Sequence, residues 1–245
     1  MHNGTRLAQF NSHPRHFEHA PHVTLAPLVR LTVALSSQAG SGALSIADQL
    51  ATELQVKALP TDPPWKVFHK SFMMKVLEEH RLPAHLAKFL PEDANGPVTD
   101  VLDELFGLHP PSSVIVQQSV ETMLRLARAG QVVLVGWGAN VVTAKLPNVF
   151  QVRLVGSLER RLERIRLRER LGRKQALAWI TRQDRGRARY VKHYFGQDPT
   201  EPALYHLTIN TDRFTDAEAA RLIAETALGR SQFQAPAHSQ FAHPG

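Results

Sequence analysis

The chain predicts an α/β fold in which helices wrap a parallel sheet, and three observations carry that expectation. Apolar β-type runs and helical patterns follow one another in the order β, α, β, helices, β, β, helices, β, α. The first run, Leu31-Thr-Val-Ala-Leu35, passes through the small-residue loop Gln38-Ala39-Gly40-Ser41-Gly42 directly into a helical pattern. Counting that loop as Ser36 to Gly42, it and two others, Gly136 to Asn140 and Asn210 to Asp212, each follow a strand. In a parallel sheet that places all three on the carboxyl edge, where ligands of such sheets bind.

Composition bounds the rest. A hydrophobic share of 43% supports an ordinary packed core, and 245 residues suffice for one large domain. There is no cysteine, which excludes a disulfide framework and any thiolate metal site. No apolar run reaches the ~18 residues of a membrane span. The start of the chain has no apolar secretion-type segment, so a cytoplasmic protein is expected and the Asn3-Gly4-Thr5 sequon is read as chance. The net charge of +7 and pI near 10.0 admit nucleic acid, an anionic membrane surface or small phosphorylated ligands as partners.

The elements follow in order. Residues 1–27 are polar, rich in His, Asn and Pro, and lack a period; they read as a disordered arm, as does 230–245. The arm's histidines, His2, His13, His16, His19 and His22, read as solvated, because Pro14 and Pro21 oppose a helix that would align them. One domain is expected over 28–229. After Leu31 to Leu35, a helix carries Leu44, Ala47, Leu50, Ala51 and Leu54 on one side. A short strand is expected at Gln55 to Leu59, then a break at Pro60, Pro63 and Pro64. A helical insertion follows over about 60–111, its pattern starting at Trp65 with Val67, Phe68, Phe72, Val76 and Leu77. Ser112-Ser113 caps a helix that Gly130 ends at Ala129. Strands are expected at Gln131 to Val135, Val149 to Val155 and His206 to Ile209. Helix spans Glu159 to Tyr194 with a break at Gly172, and a last helix runs from Thr215 to Leu228 with Thr215 and Glu218 in capping-box spacing.

Two features carry chemistry. Strand, glycine-rich turn and helix form an anion cradle: glycines let the backbone approach a phosphate and the first helical N–H groups face it. Against the strict pattern GxxxxGK[ST], Ser37 stands at the first glycine, Gly42 at the second, Ala43 at the lysine and Leu44 at the hydroxyl position. The second feature is the basic segment Glu159 to Lys192, which holds more than the whole net charge. Helical pairs are available between Glu163 and Arg166, Glu169 and Arg173, and Asp184 and Arg187, and they leave most of the arginines over. Its place between the penultimate and last strands suits a lid over phosphates, about 166–195. Only Trp179, Tyr190 and Tyr194 interleave with the basic residues, which is little for a single-strand stacking platform.

Several stretches together resemble the cytidylate kinase-like family of P-loop nucleoside monophosphate kinases. They are Ser37 to Gly42 with Ile46-Ala47, Val133 to Asn140, Pro147-Asn148-Val149, Asp184-Arg185-Gly186-Arg187-Ala188-Arg189-Tyr190, and Tyr205 to Thr211. The resemblance implies a P-loop kinase-like sheet with a helical acceptor-binding insertion and an arginine-rich lid. It implies donor phosphates of ATP held at Ser37, Gln38, Gly40, Ser41 and Gly42, with Mg2+ as cofactor and no metal ligand identified. Asp184, Arg185 and Arg189 would be catalytic, the arginines stabilising the moving phosphoryl group. Asp62, Gly136, Gly138 and Asn140 would meet the acceptor. Two departures stand out: Ser37-Gln38 where the family tends to show Arg-Gln, and Trp137 where it tends to show arginine.

The expected function is phosphotransfer from ATP to a nucleoside monophosphate, cytidylate-like, or a related small phosphorylated acceptor. Two alternatives stand beside it. One is a degenerate kinase that binds nucleotide without efficient catalysis, motivated by Ser37, Ala43, Leu44 and Trp137. The other is a nucleic-acid-binding protein, motivated by the arginine segment. The residues do not specify an oligomeric state.

Overall fold

The computed structural model describes residues 30–69, 113–136 and 138–234. In chain order the elements are β1 (Thr32–Ser37), α1 (Ala43–Val56), β2 (Lys66–Phe68), α2 (Ser113–Ala129), β3 (Val132–Val135), α3 (Ala139–Val142), β4 (Val149–Val155), α4 (Leu158–Glu169), α5 (Arg173–Phe195), β5 (Leu207–Asn210) and α6 (Asp216–Gln234). The five strands form one all-parallel sheet in the order β2-β3-β1-β4-β5. Among the described residues no helix is long and apolar enough to cross a membrane.

The apolar run of β1 explains its central place. Val33, Ala34 and Leu35 are fully buried because helices cover both faces. On one face Val33 and Leu35 meet Ile46, Leu50 and Leu54 of α1 together with Ala219, Ala220, Ile223, Ala224 and Ala227 of α6. That row of small residues lets α6 approach α1 closely. On the other face Ala34 and Leu134 meet Met123, Leu126 and Ala127 of α2. Register follows, with Thr32 opposite both Val132 and Val149.

Three sequence expectations are corrected. Gln55 belongs to α1, which runs to Val56, and the second strand is Lys66–Phe68, not Gln55 to Leu59. The two adjacent apolar residues Val67 and Phe68 fit a helix or a short strand equally. Pairing with β3, Val67 opposite Val133, decides for the strand. Gln55 contributes otherwise, its side-chain oxygen accepting from Trp65 N at 2.8 Å. The rest of the expected insertion, 70–111, lies outside the described residues, as do the 1–27 arm and the tail from 235 on. The last helix does not stop at Leu228 but reaches Gln234, so the tail boundary at 230 is too early. Gly229 alone does not end it, since one glycine costs only ~1 kcal/mol.

The Thr215–Glu218 capping box forms: Glu218 accepts from Thr215 N at 2.8 Å and Thr215 Oγ1 accepts from Glu218 N at 3.2 Å. The Thr215 N–H, with the Thr215 hydroxyl, donates to the Glu218 carboxyl and holds it below its ordinary value. The break at Gly172 also forms, separating α4 from α5. Of the three expected ion pairs only Glu163–Arg166 does, at 2.8 Å. The hairpin of α4 and α5 brings Arg173 to Glu159 at 2.6 Å instead, Glu169 turns to Arg168, and Asp184 turns to Arg161.

Candidate functional site

The loop after β1 is shaped by its glycines. Gly40 has φ +81°, and a Cβ there would stand 2.7 Å from the Arg161 carbonyl oxygen, so α4 presses directly on its backbone. Gly42 has φ +88° and caps α1 without a side-chain bond. The first bond into the helix is Ile46 N to Gly42 O, 3.0 Å, so the amides of Ala43, Leu44 and Ser45 have no acceptor four residues back. Gly40, Gly42, Ala43 and Leu44 line a pocket of about 240 Å³. Unsatisfied amides and the helix dipole make that wall attractive to an anion.

A second wall comes from α5. Positions 184, 187 and 191, three and four residues apart, share its inward face, and all three line the pocket. Asp184 Oδ1 accepts from Ala39 N at 2.7 Å, and Arg187 donates to Ser37 O at 3.3 Å. Arg161, a buried residue of α4, joins loop and helix. Its Nη1 donates to Ala39 O at 3.0 Å and to Asp184 Oδ2 at 2.7 Å, and its Nε donates to Gly156 O at 3.1 Å.

The floor is polar. Arg153, from β4, donates to Ser36 Oγ at 2.7 Å and lies 5.9 Å from the Tyr205 ring centroid. The Tyr205 hydroxyl donates to Pro199 O at 2.8 Å, stands 3.2 Å from Ser36 Oγ, and accepts from Asn140 Nδ2 at 3.2 Å. Burial lowers the Arg153 pKa from its ordinary value, with nearby Tyr205 and Asp184 opposing that shift. Neither Arg153 nor Arg187 has a carboxylate within ion-pair distance among the described residues. Arg168 adds a third guanidinium at the rim, over Trp179 at 5.6 Å. Against these, Asp184 is the single carboxylate on the described lining, and Arg161 already pairs it.

Most expected site residues do gather here. Ser37, Gln38, Gly40, Gly42, Gly136, Gly138, Asn140 and Asp184 all line the pocket. Gln38 turns its side chain to Gly156 N, 2.9 Å, and Ser41 is 2% exposed behind the loop with its hydroxyl on Gln38 O at 2.8 Å. Three expected residues lie elsewhere. Arg185 and Arg189 face away: they wall a separate shallow groove with Arg182, Ala178 and Thr181 on the outward side of α5. Their phase is wrong by one or two residues, and Arg187 takes the inward position. Asp62 lies at the opposite edge, accepting from Leu59 N at 3.1 Å and standing 3.6 Å from Arg30, which precedes β1. Trp137 lies outside the described residues. Reading the sequence alone does not single out Arg153, Arg161, Arg168 or Arg187 for a role at the site. Helix phase counted from Asp184 finds Arg187, and the lone cation in the apolar run of β4 marks Arg153.

The model of the cytidylate kinase-like family matches residues 32–213. An uncharacterized protein from Eubacterium ventriosum superposes with a TM-score of 0.57 at 16% identity, covering 81% of this chain and 98% of that one, which shows a shared fold. A shikimate kinase from Bacteroides thetaiotaomicron aligns at 14% identity and a TM-score of 0.40, over 83% of this chain and 96% of that one. No curated protein matches the sequence.

Proposed function

The chain belongs to the cytidylate kinase-like family, and from that premise we propose a cytoplasmic nucleotide-binding phosphotransferase. It moves the γ-phosphate of ATP onto a nucleoside monophosphate, cytidylate-like, or a related small phosphorylated acceptor. One observation carries the reading: the loop and helix start at Gly40, Gly42, Ala43 and Leu44 and the inward Arg187 line the same pocket. Phosphoryl transfer relies on positioning and charge stabilisation, and those two elements supply both. Donor phosphates would lie against the loop amides. Arg187 would neutralise charge at the loop, and Arg153 with Ser36, Asn140 and Tyr205 would hold the acceptor on the polar floor.

Magnesium fits this wall poorly as a protein-held ion. Leu44 stands at the hydroxyl position, and Asp184, the one carboxylate on the described lining, already carries a bond on each oxygen, which leaves little protein ligation beside the phosphates magnesium ordinarily shares. No step of this reading therefore rests on the ion.

Purified protein given ATP, Mg2+ and a panel of nucleoside monophosphates is expected to form the corresponding diphosphate. No product with any acceptor contradicts the reading. A second reading, a nucleotide binder without efficient transfer, is favoured by Ala43 and Leu44 and by the outward course of Arg185 and Arg189. Saturable ATP binding with no turnover selects it.

A further inference from the structure

The side-chain bonds of Arg161 join the loop to its surroundings. It is 8% exposed, it belongs to α4, and it holds the carbonyl oxygens of Ala39 and Gly156 together with Asp184. Asp184 reaches back to the Ala39 amide, so the Ala39 residue is gripped through both its N–H and its C=O. The next residue, Gly40, is the one whose backbone rests on the Arg161 carbonyl. Three residues beyond Asp184, Arg187 reaches Ser37 O. The loop closes on itself only at Ser41, whose N–H and hydroxyl donate to Gln38 O; Gln38 ties it to the end of β4, and the two helices hold the rest.

We propose that Arg161 and Asp184 are positioning residues: as a pair they set the phosphate loop and lock it to α5, which carries Arg187 to the pocket. The assignment rests on the nucleotide-binding reading above, which does not itself assign Arg161. Each oxygen of Asp184 makes a bond that fixes the loop or its partner, while the side chain stays 31% exposed on the pocket. Here Oδ1 is on the loop amide and Oδ2 on the guanidinium. A pair serving stability alone need not touch the loop; this one makes three of its four bonds to the loop or to each other.

The test separates binding from stability in the full chain, using ATP titration and thermal unfolding. Arg161→Met leaves a partly buried carboxylate without its cation, so unfolding temperature falls and ATP affinity weakens by about tenfold or more. Asp184→Asn keeps an acceptor for Ala39 N but loses the ion pair, and affinity weakens about three- to tenfold with a smaller thermal loss. The double variant Arg161→Met with Asp184→Asn removes the lone charge, so thermal stability returns toward the parent. Its ATP affinity is expected to stay about tenfold or more weakened, because the Arg161 bonds to Ala39 O and Gly156 O are gone and the Ala39 amide keeps only a neutral acceptor. Recovery of affinity in step with stability overturns the assignment and leaves a purely structural pair. Parent affinity in both single variants overturns it as well. Failure of the unmodified chain to bind ATP at all overturns instead the nucleotide reading beneath it.

Discussion

The two sides of α5 both carry arginine, but what those arginines meet differs. Inward lie Asp184, Arg187 and Val191, against the loop and the pocket. Outward lie Arg182, Arg185 and Arg189, over a shallow groove floored by Ala178 and Ala188. All these cations sit within one and a half to two turns of each other on a single helix. The comparison teaches that density of arginine marks the element and helical phase marks the residue. A guanidinium one position away from the inward stripe is rotated by roughly 100° and meets different surroundings.

The largest expected effect lies where the inward side meets the loop. Gly40→Ala places a Cβ at φ +81° and 2.7 Å from the Arg161 carbonyl. It is expected to cost at least ~2 kcal/mol and to abolish measurable ATP binding in a titration. Retained binding would break the comparison, since the inward wall would then not depend on the loop's shape. Next comes Arg153→Gln on the floor, where loss of a charge-assisted contact to an anionic ligand is expected to weaken binding about tenfold. Thermal unfolding should change little, because Arg153 has no carboxylate partner among the described residues to strand.

Tyr205→Phe removes a hydroxyl shared by Asn140, Ser36 and Pro199. A stability loss of about 1 kcal/mol is expected in denaturant melts, with a smaller change in binding. A pH experiment supplies a control outside both sides of α5. His206 Nδ1 accepts from Gln151 N at 2.8 Å, and burial holds the imidazole below its ordinary pKa of 6.5. The folded chain therefore binds fewer protons than the unfolded one. Stability from this group is present above about pH 6.5 and is lost as pH falls through that value toward the depressed one. Unfolding temperature should drop between pH 7.5 and 5.5 more in the parent than in His206→Gln, and equal slopes would contradict it. The smallest effect is expected outward: replacing Arg182 and Arg185 by alanine should leave ATP affinity within about twofold at moderate salt.

Much of this was legible in the chain. The order of apolar runs gives the parallel sheet; the unbroken Val132 to Val135 stretch announces a strand buried on both faces, and Val149 to Val155 does so despite Gln151 and Arg153. The loop Gly40 to Gly42 is legible because its glycines precede a helical pattern. The second strand was not, because Val67 and Phe68 are too few to show a period and their sheet partner is distant in sequence. Motif resemblance pointed to Arg185 and Arg189 because it counts letters; the fold selects Arg187 because it counts turns. Asp62 was misplaced for a similar reason: a carboxylate after a break carries no information about which edge of the sheet it joins. Arg161 was hidden by its surroundings, one arginine among many, distinguished only by burial and by what it holds.

The most direct measurement is a paired ATP titration of Arg187→Ala and Arg185→Ala at fixed ionic strength. Inward Arg187→Ala is expected to weaken binding by about tenfold or more, and outward Arg185→Ala by less than about twofold. Equal losses in the two variants, or a larger loss in Arg185→Ala, would contradict the claim that loop amides and the inward side of α5 converge on one anionic ligand.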